Sequence, residues 1–319
     1  MKILVTGAAG FIGYHLSEKL LDEGFEVLGV DNLNSYYDVT LKYARLKKLE
    51  INKNFSFKKV NIQNKDELSK VFKYFNPEKV VNLAAQAGVR YSIENPYAYL
   101  DSNIIGFLNI IELCRHNKVK GLIYASSSSV YGGNTKMPFS IKDKVDKPLA
   151  LYGATKKANE LIAYSYSYLY GLNSTGLRYF TVYGPWGRPD MAMFIFTKNI
   201  LEGKPILVFN NGKMKRDFTF IDDIINGTLT SIKKNYKNEV FNLGNNISEN
   251  LLDMINIIEK ELNQKAIIEY KPMQPGDVKE SFADIEYSKE KLDFIPKTKI
   301  YEGIPKFINW YKNYYNIKK

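Results

Sequence analysis

The chain is 319 residues long with a formal charge of +11, and its lysines, as in Lys47-Lys48, Lys58-Lys59 and Lys318-Lys319, are spread out and interleaved with asparagines. That is the pattern of a solvated surface and not of a nucleic-acid-binding stripe, while one cysteine, Cys114, and two histidines, His15 and His116, exclude an internal disulfide and a His/Cys zinc site, so no metal is expected. No apolar stretch approaches a membrane span and the N-terminus enters a strand at once, so the chain reads as a cytoplasmic protein without a secretory signal, large enough for a nucleotide domain and a smaller partner.

The first element is the apolar strand Ile3-Leu4-Val5, followed by Thr6-Gly7-Ala8-Ala9-Gly10-Phe11-Ile12-Gly13 and a helix whose Leu16, Leu20 and Leu21 keep helical spacing until Gly24. Glu26 to Asp31 is the next parallel strand. Strand, glycine turn, helix, strand and terminal acid make a dinucleotide-binding unit. Gly7 makes the turn, Gly10 admits phosphates to the helix N-terminus, and Gly13 seats helix on strand. A carboxylate at Asp31 accepts from both ribose hydroxyls and repels the extra phosphate of NADP, so the expected cofactor is NAD.

Helix and strand continue to take turns, with strands over 55–60, 79–84, 121–125 and 174–179 and helices over 65–74 and 152–170. Pro96 opens a long helix with an apolar face through Ile104, Leu108, Ile111 and Leu113, in which Cys114 belongs to the core. The expected class is α/β, a Rossmann-type doubly wound parallel sheet, and such sheets bind ligands at the carboxyl ends of their strands, where the glycine turn, Asn82, Ser127 and 178–183 emerge. From Gly184 the pattern loosens into Gly-Pro pairs, a polar turn at Asn210-Asn211-Gly212 and short mixed elements. The expected division is an NAD-binding domain over 1–183, rejoined by 221–245, and a substrate-binding lobe over 184–319. Tyr36-Tyr37, the tyrosines of 164–170 and Tyr314-Tyr315 read as packing and surface aromatics.

Tyr152 and Lys156 stand four apart in a helix, on one face. A tyrosine of pKa about 10 is a poor base at neutral pH, but an adjacent lysine and a positive nicotinamide ring favour the phenolate, and the lysine can also bond the nicotinamide ribose. The run Ser126-Ser127-Ser128-Ser129 ends a buried strand on the ligand side and suits a sugar, with Ser127 sharing the substrate hydroxyl with Tyr152.

With these motifs, and with 31–38 (Asp-Asn-Leu-Asn-Ser-Tyr-Tyr-Asp), 82–91, 178–185, Arg188-Pro189-Asp190-Met191-Ala192 and Arg216-Asp217-Phe218, the chain resembles the extended short-chain dehydrogenases nearly end to end. Within them it resembles the nucleotide-sugar 4-epimerases, most closely the UDP-glucuronate 4-epimerases. The resemblance implies interconversion of UDP-glucuronate and UDP-galacturonate: Tyr152 takes the O4 proton, C4 gives hydride to NAD, and the keto sugar turns and takes both back. Catalysis falls to Tyr152, Lys156 and Ser127. Cofactor contacts fall to Gly7, Gly10, Phe11, Ile12, Gly13, Asp31 and Asn32, then to Asn61, Ile62, Leu83, Ala84, Ala85, Gln86 and Asn103, and to Tyr152, Lys156 and Tyr179.

Substrate contacts by the same resemblance fall to Arg90, Ser128, Ser129, Thr181, Arg188, Val208, Arg216 and Asp277, with Arg216 on the diphosphate, the three hydroxyls on the uronate carboxylate, and Phe194, Ile206 and Phe209 beside Val208 around uracil and ribose. Related dehydratases carry Asp-Glu where this chain has Ser128-Ser129, and related decarboxylases carry Glu in place of Ser129. Two departures stand out: Asn61-Ile62 stands where many relatives carry Asp-Ile or Asp-Leu at the adenine, and Gln274-Pro275-Gly276-Asp277 lacks the second diphosphate arginine of galactose-type epimerases. A 4-epimerase for UDP-glucose or UDP-N-acetylglucosamine would keep every catalytic residue, and a non-catalytic NAD-binding scaffold of the same fold is the reading from another class. The family pairs as a homodimer through helices here spanning about 97–115 and 153–170.

Overall fold

In the computed structural model, which describes residues 1–317, strand and helix alternate as the apolar runs require. Lys318-Lys319 lies outside the described residues. The order is β1 (Lys2–Thr6), α1 (Phe11–Asp22), β2 (Glu26–Asp31), α2 (Val39–Leu49), β3 (Phe55–Lys59), α3 (Lys65–Phe75) and β4 (Lys79–Asn82). Next come α4 (Tyr91–Glu94), α5 (Pro96–Tyr99), a π turn (Leu100–Ile105) leading into α6 (Gly106–His116), β5 (Gly121–Ser127), α7 (Leu151–Tyr170) and β6 (Ser174–Tyr179). The remainder holds β7 (Thr181–Tyr183), α8 (Ala192–Leu201), β8 (Ile206–Phe209), β9 (Lys215–Arg216), β10 (Phe218–Phe220), α9 (Ile221–Lys234) and β11 (Asn238–Leu243). It closes with β12 (Glu249–Asn250), α10 (Leu251–Leu262), β13 (Ile268–Lys271), β14 (Glu280–Ser281), α11 (Glu286–Leu292) and α12 (Ile300–Tyr314).

Seven strands form one parallel sheet in the order β11-β6-β5-β4-β1-β2-β3. Strand side chains alternate between faces, so Ile3 and Val5 join one core cluster with Leu16 and Leu20 of α1, while Leu4 joins another with Phe72 of α3 and Ile110 and Cys114 of α6. The strand order reverses between β1 and β4, and a crevice opens there at the carboxyl edge. β11 lies beside β6, and the small sheets β10-β7, β12-β9-β14 and β13-β8 belong to the later part of the chain. No helix among the described residues is long and apolar enough to cross a membrane.

The long helix expected from Pro96 is interrupted. The π turn inserts a residue, and the buried face downstream runs through Phe107, Ile110, Ile111 and Cys114, leaving Leu108 at 38% exposure and Ile104 half-buried. Its second consequence is to turn Asn103 inward, where it is 1% exposed.

α7 is fastened to the sheet by a buried polar network. Glu160 takes two bonds of 2.8 Å from Arg178 on β6 and one of 2.7 Å from the Ser126 hydroxyl on β5. Arg178 also donates to the Tyr131 hydroxyl at 2.9 Å, which in turn donates to Asn242 on β11 at 2.7 Å. Burial raises the Glu160 carboxyl, yet the Arg178 bonds and charge, with Ser126 and Lys157, hold it below its usual value. Arg178→Met takes the bidentate partner from that buried carboxylate and leaves it only Ser126 and Lys157, with an expected loss of about 3–5 kcal/mol in urea denaturation; an unchanged midpoint refutes the pairing.

Candidate active site

The glycine turn fits a bound dinucleotide because backbone packs on backbone there. Gly7 takes φ +71°, and a side-chain carbon on it would stand 2.8 Å from Ala84 N; one on Gly10 would stand 2.9 Å from the Gly7 carbonyl oxygen. One on Gly13 would collide with the same oxygen, so Gly13 seats α1 on the turn itself, not on the strand. The Gly7 amide donates to the Val30 carbonyl at 2.7 Å, which leaves the α1 N-terminus facing the crevice without side chains in the way. A cleft of about 430 Å³ begins here, lined by Gly7, Gly10, Phe11, Ile12 and Gly13, and continues past Asp31, Asn32, Asn61 and Ile62.

The β4 exit contributes Leu83, Ala84, Ala85 and Gln86, and the β5 exit contributes Ser126, Ser127, Ser128 and Ser129. Tyr179 and Thr181 enter from the β6 end, and Tyr152 and Lys156 from the first two turns of α7. Facing them across the cleft are Tyr36, Tyr37, Lys42, Arg188, Met191, Arg216 and Asp277. The elements that carry Ser127 and Tyr152 are held by Glu160, and the Lys156 ammonium donates to the Ala125 carbonyl at 2.9 Å, a turn away from the phenol it accompanies.

Burial raises the Tyr152 phenol, while the Ser127 hydroxyl bonded to it and the positive charge of Arg188 pull it down. Of the two lowering influences, the Ser127 bond is the larger and the Arg188 charge the smaller. Burial pushes Lys156 down to about 8. Burial works against the Arg188 charge too, but Asp190, bonded to its Nε at 2.9 Å, holds the guanidinium firmly protonated. Asp31 is raised by burial, against the charge of Lys42 and the N–H groups of Leu33 and Ala9. Its Oδ1 accepts from Leu33 N at 2.8 Å.

Several residues expected at the site stand behind its wall. Asn103 is spent on both backbone groups of Gln86, at 2.9 and 3.0 Å, and on the Thr155 hydroxyl at 3.1 Å, so it shapes the wall from outside the cleft. Val208, Phe194 and Ile206 are core residues at 0%, 4% and 0% exposure. Asn82 accepts from the Thr6 hydroxyl, and Arg178 donates to Glu160 and not toward the cleft. Arg90 is exposed beyond the lining residues, with its guanidinium 4.9 Å from the Phe209 ring centre, and its charge opposes that of nearby Arg216. Arg216 is bonded to Asp277 at 2.6 Å.

The sequence reading passed over Lys42 and Arg45. Both stand on the α2 face that holds Leu41 and Leu49, at 4% and 0% exposure, and that helical spacing was the available signal. Lys42 donates to the Asn34 carbonyl and side chain at 2.8 Å each, and its ammonium sits 4.7 Å from the Tyr37 ring centre. Among the described residues no group of three or more His, Cys, Asp or Glu is placed to hold a metal ion.

Comparison with known proteins places this geometry in context. Residues 3–244 match the NAD dependent epimerase/dehydratase family. The chain is 50% identical over 312 residues to a UDP-glucuronate 4-epimerase of Thermodesulfobacterium geofontis, covering 97% of this chain and 95% of that protein. It is 52% identical over 335 residues to Protein CapI of Staphylococcus aureus, covering 99% of each. The crystal structure of UDP-glucuronic acid 4-epimerase from Bacillus cereus in complex with UDP-glucuronic acid and NAD matches it with a TM-score of 0.93 at 38% identity, across 99% of this chain and 100% of that one. The glycine turn, the parallel sheet with its switch point and the Tyr152-Lys156 helix are thus those of the NAD dependent epimerase/dehydratase family, to which this chain belongs.

Proposed function

We propose that this chain is an NAD-dependent 4-epimerase that interconverts UDP-glucuronate and UDP-galacturonate. The observation that carries the reading is one cleft in which the Tyr152 phenol, the Ser127 hydroxyl and the glycine turn meet the hydroxyls of Ser128, Ser129 and Thr181 and the cation of Arg188. Bound NAD supplies a reversible hydride acceptor for the sugar's C4. Tyr152 accepts the 4-hydroxyl proton and later returns it to the opposite face of the ring, with Ser127 holding the same oxygen in both directions. Lys156 holds the nicotinamide ribose. Arg216 meets the diphosphate as a guanidinium fork on phosphate oxygens, which Asp277 keeps aimed.

The 4-keto uronate formed on the way is a β-keto acid, which loses carbon dioxide when its carboxylate is desolvated and free to rotate. Ser128, Ser129 and Thr181 keep the carboxylate hydrogen-bonded, and no acid on the serine run is available to remove the C5 proton. The working division of the chain is an NAD-binding part over 1–183 with 221–245, and a nucleotide-sugar lobe over the rest of 184–319, a reading supported by β11 lying beside β6. Association as a homodimer through α6 and α7 is supported by Leu108 on α6, Ile105 in the π turn leading into it, and Leu161, Tyr164, Tyr168 and Leu169 on α7, all exposed apolar side chains. A cytoplasmic location agrees with the single thiol, Cys114, kept free and buried.

Four measurements test this. Turnover of UDP-glucuronate is expected to exceed that of UDP-glucose and UDP-N-acetylglucosamine, and absence of activity on the uronate overturns the substrate assignment; Tyr152→Phe is expected to lower kcat by about 10²–10⁴-fold, and full activity would favour a scaffold. Because the Arg188 charge lowers the Tyr152 phenol, Arg188→Met raises it, and the acid limb of kcat/KM is expected to move to higher pH; an unmoved limb refutes the coupling. Light scattering is expected to give twice the chain mass, and a monomer contradicts the proposed α6–α7 contact.

A further inference from the structure

Arg45 carries a charge that nothing in the fold neutralises directly. It is fully buried, and no carboxylate lies within ion-pair distance of it among the described residues. Its donors go to carbonyls and a hydroxyl on three separate segments: Ala9 O of the glycine turn at 2.8 Å, the Tyr37 hydroxyl at 2.9 Å, and Trp186 O and Gly187 O at 2.6 and 3.3 Å. The Nε–H finds no partner. The apolar side of α2 is already covered by Leu41, Leu46 and Leu49, so packing alone would be served as well by a methionine, without burying an ion.

The segment Arg45 grips is strained. Trp186 has φ +61°, a left-handed conformation that bulky residues avoid, at a cost of roughly 1–3 kcal/mol. Such a residue persists only where its surroundings over-determine it, and here the Trp186 ring packs against Tyr14, Trp310 and Tyr314 while Arg45 holds its carbonyl. Two residues further on, Arg188 enters the cleft.

We propose that Arg45 is a positioning residue that sets the Arg188 loop in register with the cofactor turn, so that the Arg188 guanidinium lining the cleft is referenced to the same backbone that receives the dinucleotide. The planar fork is required for this. Lysine offers donors from one atom and cannot reach the Ala9 carbonyl and the Trp186 carbonyl in the same geometry. The idea rests on the epimerase reading for its assay, and it concerns the coupling between two arginines whichever UDP-sugar is the substrate.

The test is a double-mutant cycle with Arg45→Lys, Arg45→Met and Arg188→Met, using kcat/KM per NAD-loaded site on whichever UDP-sugar the wild type turns over. Arg45→Lys is expected to lose about 10- to 100-fold in the wild-type background, to shift the acid limb of its pH profile toward that of Arg188→Met, and to lose no more than about 3-fold once Arg188 is already methionine. Equal losses in both backgrounds, or an unmoved pH profile with only a lower melting temperature, overturn the proposal and leave Arg45 a stability residue. Arg45→Lys carries the test should Arg45→Met fail to fold. A wild type active on UDP-glucose but not on the uronate overturns the substrate assignment alone and leaves the cycle readable.

Discussion

The bidentate bond between Glu160 and Arg178 sets where the phenol stands. Both side chains are 4% exposed, so a roll or slide of α7 against β6 would leave the Arg178 charge buried without its carboxylate and Glu160 with only Lys157 of its own helix. The same carboxylate accepts from Ser126, the neighbour of Ser127. Tyr152 on α7 and Ser127 on β5 are therefore located from one point, two helical turns away from the chemistry. Continuation of the network through Tyr131 to Asn242 brings β11, a late strand of the chain, into the same framework.

A second consequence of burial is that the cleft's cations determine its proton chemistry. Low-dielectric surroundings keep a phenol protonated, and they also strengthen whatever charge faces it. Tyr152 feels both: burial raises it, and Ser127 and Arg188 lower it. The proton affinity of the base thus depends on the placement of a loop that begins at Gly184, takes a left-handed step at Trp186 and is fastened from below by Arg45. Part of the chain's positive charge is accordingly internal. Lys42, Arg45 and Lys156 are all buried, and each is committed to backbone carbonyls instead of solvent.

The polar residues behind the cleft wall follow a common logic. Asn103 satisfies both backbone groups of Gln86, and through Thr155 it links that stretch to α7. Asp217 accepts from the amides of Asn245, Asn246 and Ala283 and from Thr219, which gathers the segments around β9, where Arg216 begins its reach to Asp277. Burial pushes that carboxyl up to about 6 against all of these donors. In each case a side chain with no ligand contact fixes the backbone of one that lines the cleft.

Local patterns were readable directly from the chain. The alternation of strands and helices, the glycine turn, the acid ending β2, the serine run ending β5 and the four-residue spacing of Tyr152 and Lys156 all rest on short-range periodicity or on backbone angles available only to glycine. The reading failed where an outcome turned on neighbours distant in the chain. An extra residue in the π turn at Leu100–Ile105 rephased α6 and drew Asn103 behind the wall, and Arg178 turned to Glu160 and away from the ligand edge. Arg45 and Lys42 went unremarked in the sequence, because an arginine bears the same letter whether water or four protein oxygens surround it. Which of these it meets depends on how α2 and the loop at Trp186, 141 residues apart, close over each other, and that is a matter of long-range packing.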